Sequence, residues 1–124
     1  PEKAVDTISE WIYKYDFKLK IKKSRASKYG DYRPPVKGEN HLITINHDMN
    51  PYAFLITLIH EIAHLTNWNK HKDKVLPHGS EWKLEFKILM NYFLYEQIFP
   101  EDITLALRKY MQNPVVRILR CYVY

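Results

Sequence analysis

Apolar residues recur at spacings of three and four along several stretches of the chain, and they alternate with polar residues along others. Residues 2–15 have the helical spacing, whereas residues 16–23 alternate as a strand with one buried face and one lysine-rich face. Residues 41–47 have the β-branched content of a strand, and residues 24–37 allow a further short strand before a loop. The pattern predicts an N-terminal helix followed by a short mixed or antiparallel sheet.

Helical spacing returns after the sheet region. Asn50 is suited to cap a helix and Pro51 to occupy its first position, and residues 52–67 place their apolar side chains mainly on one side of a helix. A polar, lysine-rich loop is expected over residues 67–77, followed by a second long helix over residues 80–95. We expect the apolar stripe of this second helix to lie in the core. The stripe consists of Trp82, Phe86, Leu89 and Phe93.

The pattern in the last part of the chain predicts one more helix, and one segment has no assigned position. Phe99 and Pro100, followed by acidic residues, have the residue types of a helix start, and this helix ends among basic residues near Lys109. Residues 115–124 are strand-like in composition but have no assigned position in the fold. Residues 1–124 are therefore predicted to form one α+β domain in which a short sheet packs against a central helix.

The composition supports a single folded domain. Hydrophobic residues make up 46% of the 124 residues, well above the level of disordered chains. Cys121 is the only cysteine, which excludes an internal disulfide network and a multi-cysteine zinc ribbon within these residues. No apolar run approaches the roughly 18 residues of a membrane span, and the first residues lack the pattern of an export signal. We expect a soluble, cytoplasmic monomer without a membrane partner.

Residues 18–37 are strongly basic in a chain whose net charge is +5. Such a stretch, with Tyr29 and Tyr32 among its cations, is suited to contact the phosphates of DNA and to stack on exposed bases. Exposed lysines also protect edge strands against aggregation, and this second interpretation is favoured. The candidate nucleic-acid-binding residues are Lys18, Lys20, Lys22, Lys23, Arg25, Lys28 and Arg33.

The clearest chemical signal is the sequence His60-Glu61-Ile62-Ala63-His64, which matches H-E-x-x-H within the predicted central helix. Residues four apart lie about one helical turn from each other, so both imidazoles can reach one metal ion. Glu61 is rotated by about a quarter turn, which keeps its carboxylate off the metal but able to accept a proton from the attacking water. The motif therefore predicts a metal site with Glu61 as the catalytic base.

A catalytic zinc ion usually takes three protein ligands, so one more must be supplied. His71 is one position out of register with the H-E-x-x-H-x-x-G-x-x-H pattern, and a thermolysin-like site would use Glu81 or Glu85 instead. His78 is favoured, because Gly79 allows a tight bend and Ser80 is suited to cap the following helix. A solvated loop histidine is the alternative interpretation of His78.

Together, the blocks LIHEIAHLTNW and PHGSEW resemble the SprT-like zinc metallopeptidases, the family of bacterial SprT proteins and the eukaryotic protease Spartan. H-E-x-x-H is matched at His60, Glu61 and His64, and the family's H-G-x-E-[FW] element begins at His78. Including the segments SRASKYGDYRP and LITIN, the similarity covers residues 5–95. The resemblance implies a zincin-like fold, a Zn²⁺ cofactor and endoproteolysis, with DNA-associated or DNA-crosslinked proteins among the substrates. The zinc ribbon of many SprT proteins has no counterpart here.

Two other functions stay open at this point. One is a non-catalytic nucleic-acid-binding module that uses the basic residues, and the other is a zinc-stabilised interaction domain whose metal site is closed by a fourth ligand such as His71 or Glu85. If the chain is a peptidase, residues 41–47 are the candidate edge strand for binding an extended substrate, although an ordinary strand of the sheet fits equally. His41 and His47 would then face the substrate or support the metal ligands.

Overall fold

The computed structural model describes residues 1–112, which form four α-helices and one three-stranded sheet. The elements in chain order are α1 (Val5–Tyr15), β1 (Phe17–Lys22), β2 (Gly30–Arg33), β3 (His41–Asn46), α2 (Pro51–His71), α3 (Ser80–Tyr95) and α4 (Glu101–Tyr110). A short 3-10 turn, Glu2–Ala4, leads into α1. The predicted α+β class is confirmed, and the strand-like residues 115–124 lie outside the described part of the chain.

The sheet is mixed, with the strand order β1-β3-β2. Strand β3 pairs in parallel with β1, where Phe17 is opposite His41, and antiparallel with β2, where Gly30 is opposite Ile45. Of the two interpretations of residues 41–47, the substrate-binding edge strand is therefore wrong, and the ordinary strand of the sheet is confirmed. The fully buried isoleucines of β3 suit its central position. Strand β1 is lysine-rich and β2 has only four residues, and both features are typical of edge strands.

The two faces of the sheet have different environments. Ile43 and Ile45 are completely buried on the face that packs against α2. Because side chains alternate along a strand, the lysines of β1 lie on the opposite face, together with Thr44 and Asn46 of β3. We call this side of the sheet the outer face. The predicted division of β1 into an apolar and a basic face is correct except at its end, where Ile21 is 54% exposed.

Helix α2 is the centre of the core. The carboxamide of Asn50 caps it by accepting hydrogen bonds from the amides of Tyr52, at 3.1 Å, and Ala53, at 2.9 Å, as its residue type predicts. The helix continues to His71, so the loop predicted from residue 67 is wrong over its first five residues. Asn67 is buried there and Lys70 pairs with Glu85 on α3 at 2.8 Å, so these polar residues stabilise the last turns.

Helix α3 packs against α2, and α4 adds Leu107 and Tyr110 to the core. The apolar stripe of α3 is buried as predicted, at Trp82, Phe86, Leu89 and Phe93. Its N-cap is Gly79 in an extended conformation, not Ser80, and no side chain caps this end. Tyr110 of α4 contacts Phe86, with their ring centroids 5.6 Å apart. None of the helices within residues 1–112 is long and apolar enough to cross a membrane.

Candidate metal centre

Three histidine side chains converge beside the middle of α2. His60 and His64 project from adjacent turns of this helix, and His78 enters from the loop immediately before α3. The Nε2 atom of His78 lies 2.9 Å from Nε2 of His64 and 3.2 Å from Nε2 of His60. Within residues 1–112 these three residues form the group of histidine, cysteine and acidic side chains whose ligand atoms lie close enough to hold one metal ion.

These distances fit a shared cation better than hydrogen bonds. A neutral imidazole nitrogen either donates one hydrogen or accepts one, so Nε2 of His78 cannot form good hydrogen bonds with both neighbours at once. Nitrogens bound tetrahedrally at about 2.0 to 2.1 Å from a metal ion lie roughly 3.3 Å from one another, close to the two Nε2 separations made by His78. The donor set and its geometry therefore suit a metal ion with tetrahedral preference.

The charge state of the three imidazoles also suits metal binding. Burial lowers the pKa of His64 to about 3, with the neighbouring His78 acting in the same direction. Burial and the two adjacent imidazoles lower the pKa of His60 well below its usual range, and burial lowers the pKa of His78. All three rings are therefore neutral near pH 7, which leaves their nitrogen lone pairs free for a metal ion.

Trp82 forms the floor of this centre. Its ring centroid lies 4.8 Å from that of His60, 5.5 Å from that of His64 and 4.9 Å from that of His78. The indole N–H donates to the backbone carbonyl of His60 at 3.3 Å. The apolar stripe of α3 predicted Trp82 only as a core residue, although its position four residues after His78 could have placed it beneath the ligands.

Glu61 lies in the same cleft as the three histidines and is almost fully buried. Burial raises the pKa of its carboxyl group to about 8, and the negative charge of Asp31 adds to this effect, while Lys28 and Arg25 oppose it. A divalent cation beside Glu61 would act in the same direction as these two basic side chains and favour the ionised carboxylate. Glu61 is not one of the three converging residues, and its role as a catalytic base stays a prediction.

The cleft has a volume of about 650 Å³, which is within the usual range of ligand-binding sites. Strand β2 forms one wall, through Gly30 to Tyr32, and the loop after α2 forms another, through Lys72, Asp73 and residues 75–77. The C-terminal half of α2 contributes Asn67 and Trp68 beside the histidines. The sequence pattern did not identify β2 or these α2 residues as part of the site, because their approach depends on packing between distant segments.

One network of contacts joins two cleft-lining residues, Tyr32 and Trp68, through His41. The hydroxyl of Tyr32 lies 2.7 Å from Nδ1 of His41, and the two rings stack at a centroid distance of 5.8 Å. Trp68 meets His41 edge-on at 5.7 Å. His41 thus supports two cleft residues, whereas the exposed His47 bonds only the carbonyl of Lys22 among its described contacts, at 3.2 Å.

The other candidate ligands lie elsewhere. Glu85 is buried and paired with Lys70, at 2.8 Å, and His71 ends α2 outside the histidine group. Glu81 lies beside Gly79 and is likewise not part of that group. Within residues 1–112, the fourth protein ligand expected of a closed metal site is therefore not found at these positions.

The predicted basic residues are only partly available for an external partner. Arg25 bonds Asn46 at 2.7 Å and Thr44 at 3.1 Å, so it is tied to the outer face of the sheet. Lys28 and Arg33 lie 3.5 and 3.7 Å from the carboxylate of Asp31. The remaining cations are exposed, namely Lys18, Lys20, Lys22 and Lys23.

Comparisons with known proteins provide no family for the chain. No family model, curated protein or solved structure matches it. Its function is therefore inferred from the residues of the cleft and of the outer face.

Proposed function

We propose that this chain is a zinc-dependent endopeptidase with a zincin-like fold, related to the SprT-like metallopeptidases that its two motif blocks resemble. The observation that carries the proposal is the convergence of three imidazole nitrogens beside the buried carboxylate of Glu61, at the base of an open cleft. Each of these four side chains comes from a motif position of that family. The proposal concerns peptide bonds in general, with DNA-associated or DNA-crosslinked proteins as the substrate class that the resemblance implies.

Zinc is the metal that the ligand set favours. Three neutral imidazoles that converge on one point are typical of catalytic zinc sites, whereas Mg²⁺ and Ca²⁺ prefer oxygen ligands. When bound by His60, His64 and His78, zinc would polarise a peptide carbonyl and increase the acidity of water in the cleft. The cleft leaves space for both substrate and water next to the three nitrogens.

Glu61 is the proton carrier in this proposal. Its ionised carboxylate accepts a proton from the water molecule that attacks the peptide carbonyl, and then donates this proton to the nitrogen of the leaving amine. Such a group typically contributes about 10² to 10⁴-fold to the rate. Its burial shields the proton transfer from bulk solvent, and its position one residue after His60 holds it next to the metal ligands.

Within residues 1–112, β2 lies at an edge of the sheet, and this edge is suited to bind the substrate main chain. The amide of Asn46 donates to the carbonyl of Tyr29 at 2.9 Å, so these two residues form a hydrogen-bonded pair. Hydrogen-bonded and non-hydrogen-bonded pairs alternate along an antiparallel ladder. It follows that the peptide groups of Gly30 and Tyr32 point away from β3, while both residues line the cleft. An extended peptide can therefore add to this edge and pass close to Glu61.

The test compares wild-type protein with Glu61→Gln in the digestion of casein. Both proteins should contain one equivalent of zinc, because Glu61 is outside the ligand group. The variant should lose cleavage by at least 10²-fold, since an amide cannot carry the proton. Cleavage at the wild-type rate by the variant, or the absence of cleavage by zinc-loaded wild type, would contradict the proposal.

Nucleic-acid binding is a second candidate function, favoured by the outer face of the sheet. Lys18, Lys20 and Lys22 extend in one row on that face, at an edge of the sheet. Arg25 is held on the same face by Thr44 and Asn46. A row of cations spaced by two residues along a strand is suited to track a phosphate backbone. Because α2 packs on the opposite face, this function is compatible with proteolysis.

This second function is tested by the salt dependence of binding to a fluorescent single-stranded oligonucleotide. Replacing the three β1 lysines by glutamate should weaken binding and lower the slope of log K against log salt by about 2, since each phosphate contact contributes roughly 0.7. The same charge change at exposed lysines elsewhere is the control, with the substitutions Lys3→Glu, Lys74→Glu and Lys109→Glu. Equal effects of the two triple variants would reject a specific role for the outer face.

A further inference from the structure

The cleft continues past the metal centre along both β2 and α2. A Cβ atom on Gly30 would lie 3.1 Å from Oε2 of Glu61, so β2 passes directly beside this carboxylate. Tyr32 is two residues further along β2, on the same face of the strand and roughly 7 Å away. Trp68 is four residues after His64, about 6 Å further along α2. Both rings line the cleft, so an extended peptide that passes Glu61 along β2 meets them within a few residues.

The rings of Tyr32 and Trp68 are held in place by the same imidazole. Tyr32 stacks on His41 at a centroid distance of 5.8 Å, and Trp68 meets His41 edge-on at 5.7 Å. The hydroxyl of Tyr32 already has a partner in Nδ1 of His41, at 2.7 Å. Both aromatic residues are partly exposed although they pack inside the cleft. They therefore provide fixed aromatic surface that a substrate side chain can cover.

The opposite wall of the cleft contributes an exposed leucine. Leu76 lines the cleft and is 75% exposed. Its carbonyl accepts a hydrogen bond from the amide of Gly79 at 3.2 Å, which closes a turn that contains His78. The position of Leu76 is therefore linked to that of a converging histidine. Single exposed leucines are common on protein surfaces, but one held in the same cleft as two aromatic rings is suited to bind an apolar group.

We propose that Tyr32, Trp68 and Leu76 form a specificity subsite that binds an aromatic or long aliphatic side chain of the substrate, within three residues of the scissile bond. This inference rests on the proposed peptidase function. Lys72 gives the subsite a second property, because its Nζ atom lies 4.0 Å from the centroid of the Trp68 ring. A lysine or arginine of the substrate would meet this cation, so the subsite selects against basic side chains.

The test uses peptides that span a cleavage site mapped in casein, with leucine, phenylalanine, serine or lysine placed in turn at each of the three positions on either side of the scissile bond. At one position, kcat/KM for leucine or phenylalanine should exceed that for serine and for lysine by about tenfold or more, since apolar pockets discriminate by about 10 to 200-fold. Leu76→Ser and Trp68→Ala should each reduce this preference to less than threefold, at that position alone. Lys72→Met should increase cleavage of the peptide with lysine there.

The matched control is Leu105→Ser, at a leucine of α4 that is 60% exposed and is not part of the cleft lining. This variant should keep the wild-type preference at every position. If wild type cleaves the peptides without an apolar preference at any of these positions, the subsite fails and the peptidase function stands. A preference that survives in Leu76→Ser and Trp68→Ala, or an equal loss of kcat/KM for all peptides, would likewise overturn the subsite. If zinc-loaded wild type cleaves neither casein nor any peptide, the peptidase function fails, and the subsite with it.

Discussion

His78 is the residue that joins the two parts of the metal centre, because its Nε2 atom contacts those of both His60 and His64. Without it, the two α2 histidines provide only two nitrogen ligands, which is fewer than a catalytic zinc site normally has. We expect His78→Ala to retain less than about one tenth of the zinc bound by wild type after desalting, as measured by atomic emission. The control His71→Ala, which removes a histidine outside the group, should keep full occupancy. Equal zinc contents would exclude His78 as a ligand.

Gly30 is the second residue on which the site geometry depends. A Cβ atom at this position would lie 2.9 Å from Cγ2 of Thr57 and 3.1 Å from Oε2 of Glu61. Gly30→Ala should therefore displace the carboxylate or β2, lowering kcat by about tenfold or more and stability by about 1 to 3 kcal/mol, with zinc retained. Steady-state kinetics and thermal melting measure both effects. Thr57→Ser, which removes the closest atom, should partly restore kcat in the double variant. A single variant with wild-type kcat would show that this close approach is unimportant.

Among the elements, the helices were predicted well and the strand order was not. Helical periodicity depends on neighbours three and four residues apart, so the start of α2 at Pro51 and the buried stripe of α3 followed from local sequence. The central position of β3 depends on pairing with both Phe17–Lys22 and Gly30–Arg33, which no local pattern encodes. Likewise, α2 extends to His71 because its polar end is stabilised by α3, through the pair of Lys70 with Glu85.

The capping of α2 by Asn50 can be tested separately from catalysis. Asn50→Ala removes the acceptor for the amides of Tyr52 and Ala53 and should destabilise the protein by about 1 kcal/mol. Asn50→Asp, which keeps the acceptor, should retain most of the stability. Urea unfolding monitored by circular dichroism measures the difference. A stability of Asn50→Ala equal to that of wild type would mean that the cap bonds contribute nothing to the fold.

At the scale of the whole molecule, the site combines parts that are predictable from sequence with parts that are not. The three converging histidines and Glu61 are recognisable from two motif blocks, whereas the positions of Trp82 and Asn67 beside them depend on how α2, α3 and the sheet pack together. For the outer face, too, the sequence provides only part of the information. The basic stretch of residues 18–37 is visible in the sequence. Only the fold separates the exposed lysines of β1 from Arg25, which bonds Asn46 and Thr44.

Zinc binding should be coupled to the stability of the whole domain, because the ligands come from both α2 and the loop that leads into α3. A ligand present at 100 times its Kd stabilises the folded state by about 2.7 kcal/mol, which corresponds to a rise in Tm on the order of 10 °C for a domain of this size. Differential scanning fluorimetry of EDTA-treated protein should show this rise with Zn²⁺ and none with Mg²⁺, which prefers oxygen ligands. Glu61→Gln should respond like wild type, since it retains all three imidazoles, whereas His78→Ala should show little or no rise. A melting temperature that zinc leaves unchanged in wild type would rule out a metal that links α2 to the start of α3.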